Sequence, residues 1–247
     1  MASEITSPIF KIERIDAQNL QDFPRLSELK TMIGDGFSHS VNKHSFILTP
    51  GAESYLQSEE RLLDRLGPDA VLFLMTVRTP NGRANGDIIA TASYKPYEKS
   101  WPLRTICDDE GKKAWKTAER RNMTEDDIPA VQEALALLAR ADSREEISGY
   151  PMEIVTVVTS PEWQGYGLAS RLVQQITEEV KARAREVEVE MWKPIFKLMV
   201  RTVQEVNEPF WSKMGFRTIR SNFFEPGSSG RVEGFHLLEM VREHAIA

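Results

Sequence analysis

Residues 160–172 read SPEWQGYGLASRL, and two glycines, Gly165 and Gly167, stand there between an apolar run and a segment with helical spacing. A helix N-terminus presents four unpaired N–H groups and about half a positive charge, so it suits a phosphate wherever the backbone can come close. Side chains would block that approach. Gly165 and Gly167 remove them, and Ala169 keeps the next turn slim. A Gly-x-Gly pair alone is equally consistent with ordinary loop punctuation, so its context decides. A second candidate precedes it: Glu153 opens the apolar run EIVTVV. A carboxyl beside a buried strand is expected to hold its proton to higher pH, because desolvation penalises the charged form; the alternative is a strand-end glutamate facing solvent.

The elements that must position these residues follow from periodicity. IFKIERI alternates apolar and charged residues like a half-buried strand, and residues 152–159 read as a buried one. Leu26, Leu29, Met32, Ile33 and Phe37 recur at helical spacing, and SEERLLDRLG is a second short helix stopped by Gly67 and Pro68. AVLFLMTV and GDIIATASYKPY flank RTPNGRANG, whose two Asn-Gly pairs favour a tight turn, so an antiparallel hairpin is expected. Residues 98–150 turn helical and charged, with Thr124 a candidate N-cap, and read as an insertion or lid. A helix is expected from the glycines to about Arg185, then strands KLMVRTV, FRTIRSNFF and GFHLLEMVRE, with NEPFWSKM helical between the first two.

Composition bounds the function. A chain of 247 residues with 41% hydrophobic content can bury a proper core. Its net charge of -6 supplies no basic stripe for nucleic acid. One cysteine, Cys107, excludes an internal disulfide and leaves no thiolate cluster for zinc. MASEITSPIFKIERI lacks the apolar core of a signal peptide, and no window approaches the ~20 apolar residues of a membrane span. A soluble protein of the cytoplasm or nucleus is expected, with no membrane partner.

In its context the glycine loop resembles the phosphate-binding motif of the GNAT N-acetyltransferase superfamily, Q/R-x-x-G-x-G/A, at Gln164, Gly167 and Ala169. VNEPFWSKMGF is similar to a later segment of that family, in which an asparagine opens a short helix and a Gly-Phe pair ends it; Asn207, Gly215 and Phe216 fill those positions. The resemblance implies an α+β (α/β) fold: a central, mostly antiparallel mixed sheet of about six to seven strands flanked by helices. It would form one domain over residues 1–247, with the helical insertion of residues 98–150 before the fourth strand. It implies acetyl-CoA as cosubstrate and no metal. The N–H groups of Gln164, Gly165, Tyr166, Gly167, Leu168, Ala169 and Ser170 would cradle the pyrophosphate. The main chain of Val157, Val158 and Thr159 would pair with the pantetheine arm, the Val158 N–H would face the thioester carbonyl, and Asn207 and Trp211 would border the coenzyme.

Direct transfer to an amine needs a base, because an amine of pKa ~10.4 is mostly protonated at neutral pH. Glu153 resembles the strand glutamate that acts as base in the family's histone acetyltransferases. His39 and His44, in a segment that often borders the acceptor site, are the alternatives. The sequence departs from the family at the usual acid, a tyrosine four residues before the Gly-Phe pair, where it has Trp211. An indole donates a hydrogen bond but does not titrate. Three functions stay open: an N-acetyltransferase acting on a small-molecule amine, an acyl-CoA-binding module without turnover, and a GNAT fold turned to another reaction on a metabolite. A homodimer is compatible with each, and residue types do not identify the acceptor.

Overall fold

The computed structural model describes residues 8–43, 58–78, 86–97, 150–187, 195–224 and 234–245. Outside them lie the expected insertion up to residue 149 with Cys107 and Thr124, the turn residues 79–85 and His44. The alternating segment near the start is β1 (Ile9–Asp16), antiparallel to β2 (Val71–Arg78) from Ile9↔Arg78 to Asp16↔Val71. Between them run α1 (Ala17–Leu20), α2 (Leu26–Lys43) and α3 (Glu59–Leu66). The single turn α1 was not anticipated; four residues are too few to display a helical period, and the Asp16 side chain makes no capping bond. The expected helical pair is α2 and α3. The Ser58 side chain caps α3 by accepting from the Arg61 N–H at 3.2 Å, and Gly67 ends it at φ +79°.

β3 (Asp87–Pro96) pairs antiparallel with β2 and with β4 (Tyr150–Thr159). From β4 the chain crosses over through α4 (Leu168–Val187) to β5 (Ile195–Val203), which lies parallel to β4 as a helical crossover allows. α5 (Gln204–Lys213), β6 (Arg217–Phe224) and β7 (Phe235–Ala245) complete the chain. The seven strands form one sheet in the order β1-β2-β3-β4-β5-β7-β6, with β4–β5 its parallel pair. The mixed, mostly antiparallel sheet is as expected.

Two apolar clusters explain the sequence patterns. One lies beneath α4, where Leu172, Val173, Ile176 and Val180 form a fully buried stripe at helical spacing. The other lies beneath α2 and α3, around Leu29, Ile33, Leu62 and Leu66. β2 serves both: Val71, Phe73, Met75 and Val77 face the first, while Leu72 and Leu74 face the second. Its unbroken apolar run is therefore that of a strand covered on both faces. Among the described residues no helix is long and apolar enough to cross a membrane.

Candidate active site

The sheet comes apart at its parallel pair. β4 and β5 are in register from Tyr150↔Phe196 to Ile154↔Val200, and the pairing stops there although β4 runs on to Thr159 and β5 to Val203. A cleft of about 870 Å³ opens in the gap. Its walls are the far end of β4, the glycine loop, Arg201 and Thr202 of β5, and α5; Phe37 and Ser40 of α2 reach its rim.

β4 carries a bulge beside the cleft. Thr91 is opposite Val158 and Ser93 opposite Val155, so Thr156 and Val157 together face the single residue Ala92. Thr156 has φ +53°, the one positive φ of a non-glycine among the described residues. For a β-branched side chain that conformation is strained.

The pairing also fixes where the amides point. The Ser160 N–H donates to the Ile89 carbonyl at 2.8 Å, and Thr159 and Val158 follow in register with Ala90 and Thr91. Directions alternate along an antiparallel ladder, so the Val158 N–H points to β3 and the Thr159 amide to the open side, while Val157 lies in the bulge, outside the paired ladder. Val158 does not line the cleft; its buried side chain packs under α2, beside Gly36. Sequence reasoning assigned the oxyanion contact to Val158, and this geometry gives its N–H to the sheet. The strand's alternation was readable, but its phase against β3 was not.

Residues 161–163 form a 3-10 turn; the Gln164 N–H leans on the Pro161 carbonyl at 3.4 Å, and Gln164 Nε2 donates to the Thr159 carbonyl at 3.4 Å. Gly165 and Gly167 sit at φ +85° and +74°, and a Cβ added to either would meet nothing within 4 Å. That space is open for a ligand to approach. In α4 the Arg171 N–H bonds the Gly167 carbonyl at 3.1 Å, so the N–H groups of Leu168, Ala169 and Ser170 have no carbonyl behind them within the helix. No acidic residue stands in that first turn to oppose an anion. Gln164, Gly165, Gly167, Leu168, Ala169 and Ser170 all line the cleft. Tyr166 does not; it is 68% exposed and leans on Trp163 with ring centroids 5.6 Å apart.

α5 begins at Gln204, three residues earlier than expected, so Asn207 stands inside the helix rather than opening it. It still reaches the cleft, as does Trp211. Trp211 is buried and makes edge contacts with Phe210 and Phe216, at centroid distances of 4.9 and 5.1 Å. This is an apolar wall.

Glu153 is buried at the root of the cleft. Both its carboxylate oxygens accept from Arg201 Nη1, at 3.1 and 3.2 Å, and Arg201 Nε reaches Glu239 at 3.4 Å. Lys95 is its register partner on β3. Burial pushes the Glu153 carboxyl above its ordinary range; Arg201, Lys95 and Arg65 pull it down, and burial prevails. The upward direction expected from desolvation holds. Sequence reasoning missed Arg201, 48 residues away, because only the β4–β5 register brings it there. The Tyr97 hydroxyl, just past the end of β3, donates to Glu239 at 2.6 Å. His39 is exposed on α2 and does not line the cleft.

A sheet opened at its parallel pair, with a glycine-fronted helix start at the mouth, is an open α+β architecture whose cleft exposes main-chain N–H groups. The chain belongs to the acetyltransferase (GNAT) family, whose profile matches residues 49–216. In fold it is similar to a polyamine N-acetyltransferase of Drosophila melanogaster, with 12% identity, a TM-score of 0.52, and 96% of this chain and 100% of that one covered. The ribosomal-protein-S18-alanine N-acetyltransferase of Escherichia coli has 12% identity, a TM-score of 0.48 and coverage of 97% and 96%. Arabidopsis thaliana NAA60, solved with acetyl-CoA, has 14% identity, a TM-score of 0.48 and coverage of 95% and 98%. No curated protein sequence matches significantly.

Proposed function

We propose that the chain moves an acetyl group from acetyl-CoA to an amine by direct attack in a ternary complex. The observation that carries this reading is the parting of β4 from β5 beyond Ile154, with the open glycine loop at its mouth. Pyrophosphate binding falls to the N–H groups around Gly165 to Ser170, where a ligand touches backbone. The pantetheine arm runs along the exposed edge of Val157 and Thr159 like an added strand. In this reading the N–H that meets the thioester carbonyl is that of Val157, since the Val158 N–H faces β3.

Glu153 takes the proton from the amine. The nitrogen lone pair forms the new C–N bond, the tetrahedral carbon expels the thiolate, and the C–S bond breaks. Arg201 holds the carboxylate through both oxygens and fixes its direction. The thiolate, with a thiol-like pKa of ~8.5, takes its proton from water, because Trp211 has none to give. Asn207 and Trp211 border the coenzyme.

The ion pair also supports a second reading. A carboxylate already satisfied by arginine is a poorer proton acceptor, which fits an acyl-CoA-binding module without turnover. Titration calorimetry with acetyl-CoA, followed by thiol release across a panel of small amines and N-terminal peptides, separates the two. Binding with release for one acceptor class supports the transferase, binding with none supports the module, and no binding sinks both. Gly167→Val should abolish binding while circular dichroism keeps the helical signal, since its side chain fills the open space before α4.

A further inference from the structure

Thr156 combines two costs that the chain alone does not offset. Its backbone is left-handed at φ +53°, a conformation that strains a β-branched residue. Its Oγ1 is buried with no hydrogen-bond partner among the described residues, and an orphaned hydroxyl destabilises the fold. The residue is only 8% exposed, yet it lines the cleft where β4 leaves β5. Valine would fill the same shape without an orphan. A buried, unpartnered donor in a residue that lines a cleft calls for an explanation, and a ligand in the cleft can supply its partner.

Two neighbours narrow the ligand atom. The bulge sets Thr156 directly before Val157, which also lines the cleft, and Glu153 lies three residues back along the strand. An amide and a hydroxyl on adjacent residues of one bulge can converge on a single oxygen, and a carbonyl oxygen has two lone pairs to receive them. We propose that the Thr156 hydroxyl is a catalytic residue: it donates to the carbonyl oxygen of the bound acyl thioester, beside the Val157 N–H. This rests on the acetyl-CoA reading above. In the addition step the carbonyl oxygen becomes an oxyanion and both donors strengthen; the hydroxyl keeps its proton and no bond of Thr156 breaks.

The test reads the ground-state contact and needs no knowledge of the acceptor. Acetyl-CoA carrying carbon-13 at the thioester carbonyl is bound to the whole protein, and the carbonyl stretch is measured by isotope-edited infrared difference spectroscopy. Expected is a lowered frequency in the wild type, retained in Thr156→Ser and raised in Thr156→Val. Thr156→Gly, which relieves the left-handed strain and so secures a folded variant, should be raised as well. Maximal turnover with any acceptor found should fall ~100-fold in Thr156→Val while affinity for acetyl-CoA holds, the size seen when one oxyanion donor is lost. The melting temperature of Thr156→Val should match or exceed that of the wild type, because an orphan has been removed. An identical frequency in wild type, Thr156→Val and Thr156→Gly with acetyl-CoA bound overturns the assignment and leaves the cofactor reading standing. Failure of the wild type to bind acetyl-CoA overturns both.

Discussion

Arg201 is held between two buried carboxylates, Glu153 and Glu239, with the Tyr97 ring beneath it at 4.9 Å. Such an arrangement is costly to break, because removing the cation leaves two charges in a dry site. Arg201→Met should lower stability by about 3–5 kcal/mol at neutral pH, measured by denaturant unfolding, and by less in acid, where the Glu153 carboxyl takes a proton. Glu153→Gln tests the base. Turnover at neutral pH should fall by ~100-fold with affinity for acetyl-CoA barely changed. The wild-type acid limb, where activity is lost as pH falls, should lie above the ordinary glutamate value of 4.5, since burial raises this carboxyl. The sign for stability is opposite to that of an ordinary surface ion pair. A raised folded pKa gives a contribution that is full below the unfolded value and lost as pH rises through the folded one. The melting temperature of the wild type should therefore improve against Glu153→Gln as pH is lowered.

At the scale of elements, the cleft depends on how closely α2 meets the end of β4. A Cβ on Gly36 would collide with Val158 Cγ1 and come within 3.1 Å of the Thr159 carbonyl oxygen. Alanine favours a helix by about 1 kcal/mol over glycine, but overpacking here costs about 1–3 kcal/mol. Gly36→Ala should thus lose stability by about 1 kcal/mol in thermal melts and raise KM for acetyl-CoA, because Thr159 must shift. The loop was legible in the sequence because its conformation is local: Gly165 and Gly167 shape their own backbone, at φ +85° and +74°. Glu153 was legible as a strand carboxyl for the same reason. The Arg201 pairing, the Thr156 bulge and the direction of the Val158 amide were not, since each depends on register between strands far apart in the chain. Gly36 gave no signal either; its glycine answers to Val158, on another element.

For the whole molecule, acetyl-CoA should act as a further structural member. At a concentration 100 times its dissociation constant it should add about 2.7 kcal/mol of stability, read as a raised melting temperature. Hydrogen exchange should slow at Val157 and Thr159 when it binds, while Val158 is protected throughout by β3. The strand pattern and the element order were legible, because alternation and caps are written along the chain. The insertion of β7 between β5 and β6 was not, for no local pattern chooses a strand's neighbour. The parting of β4 and β5 has a mechanical meaning as well. It is a notch cut into the sheet, and its tip is the last rung, Ile154↔Val200. Tension across a notched plate gathers at the tip, and here the Glu153–Arg201 bridge lies beside it like a rivet. Pulled apart across these strands, the sheet should tear first from that point.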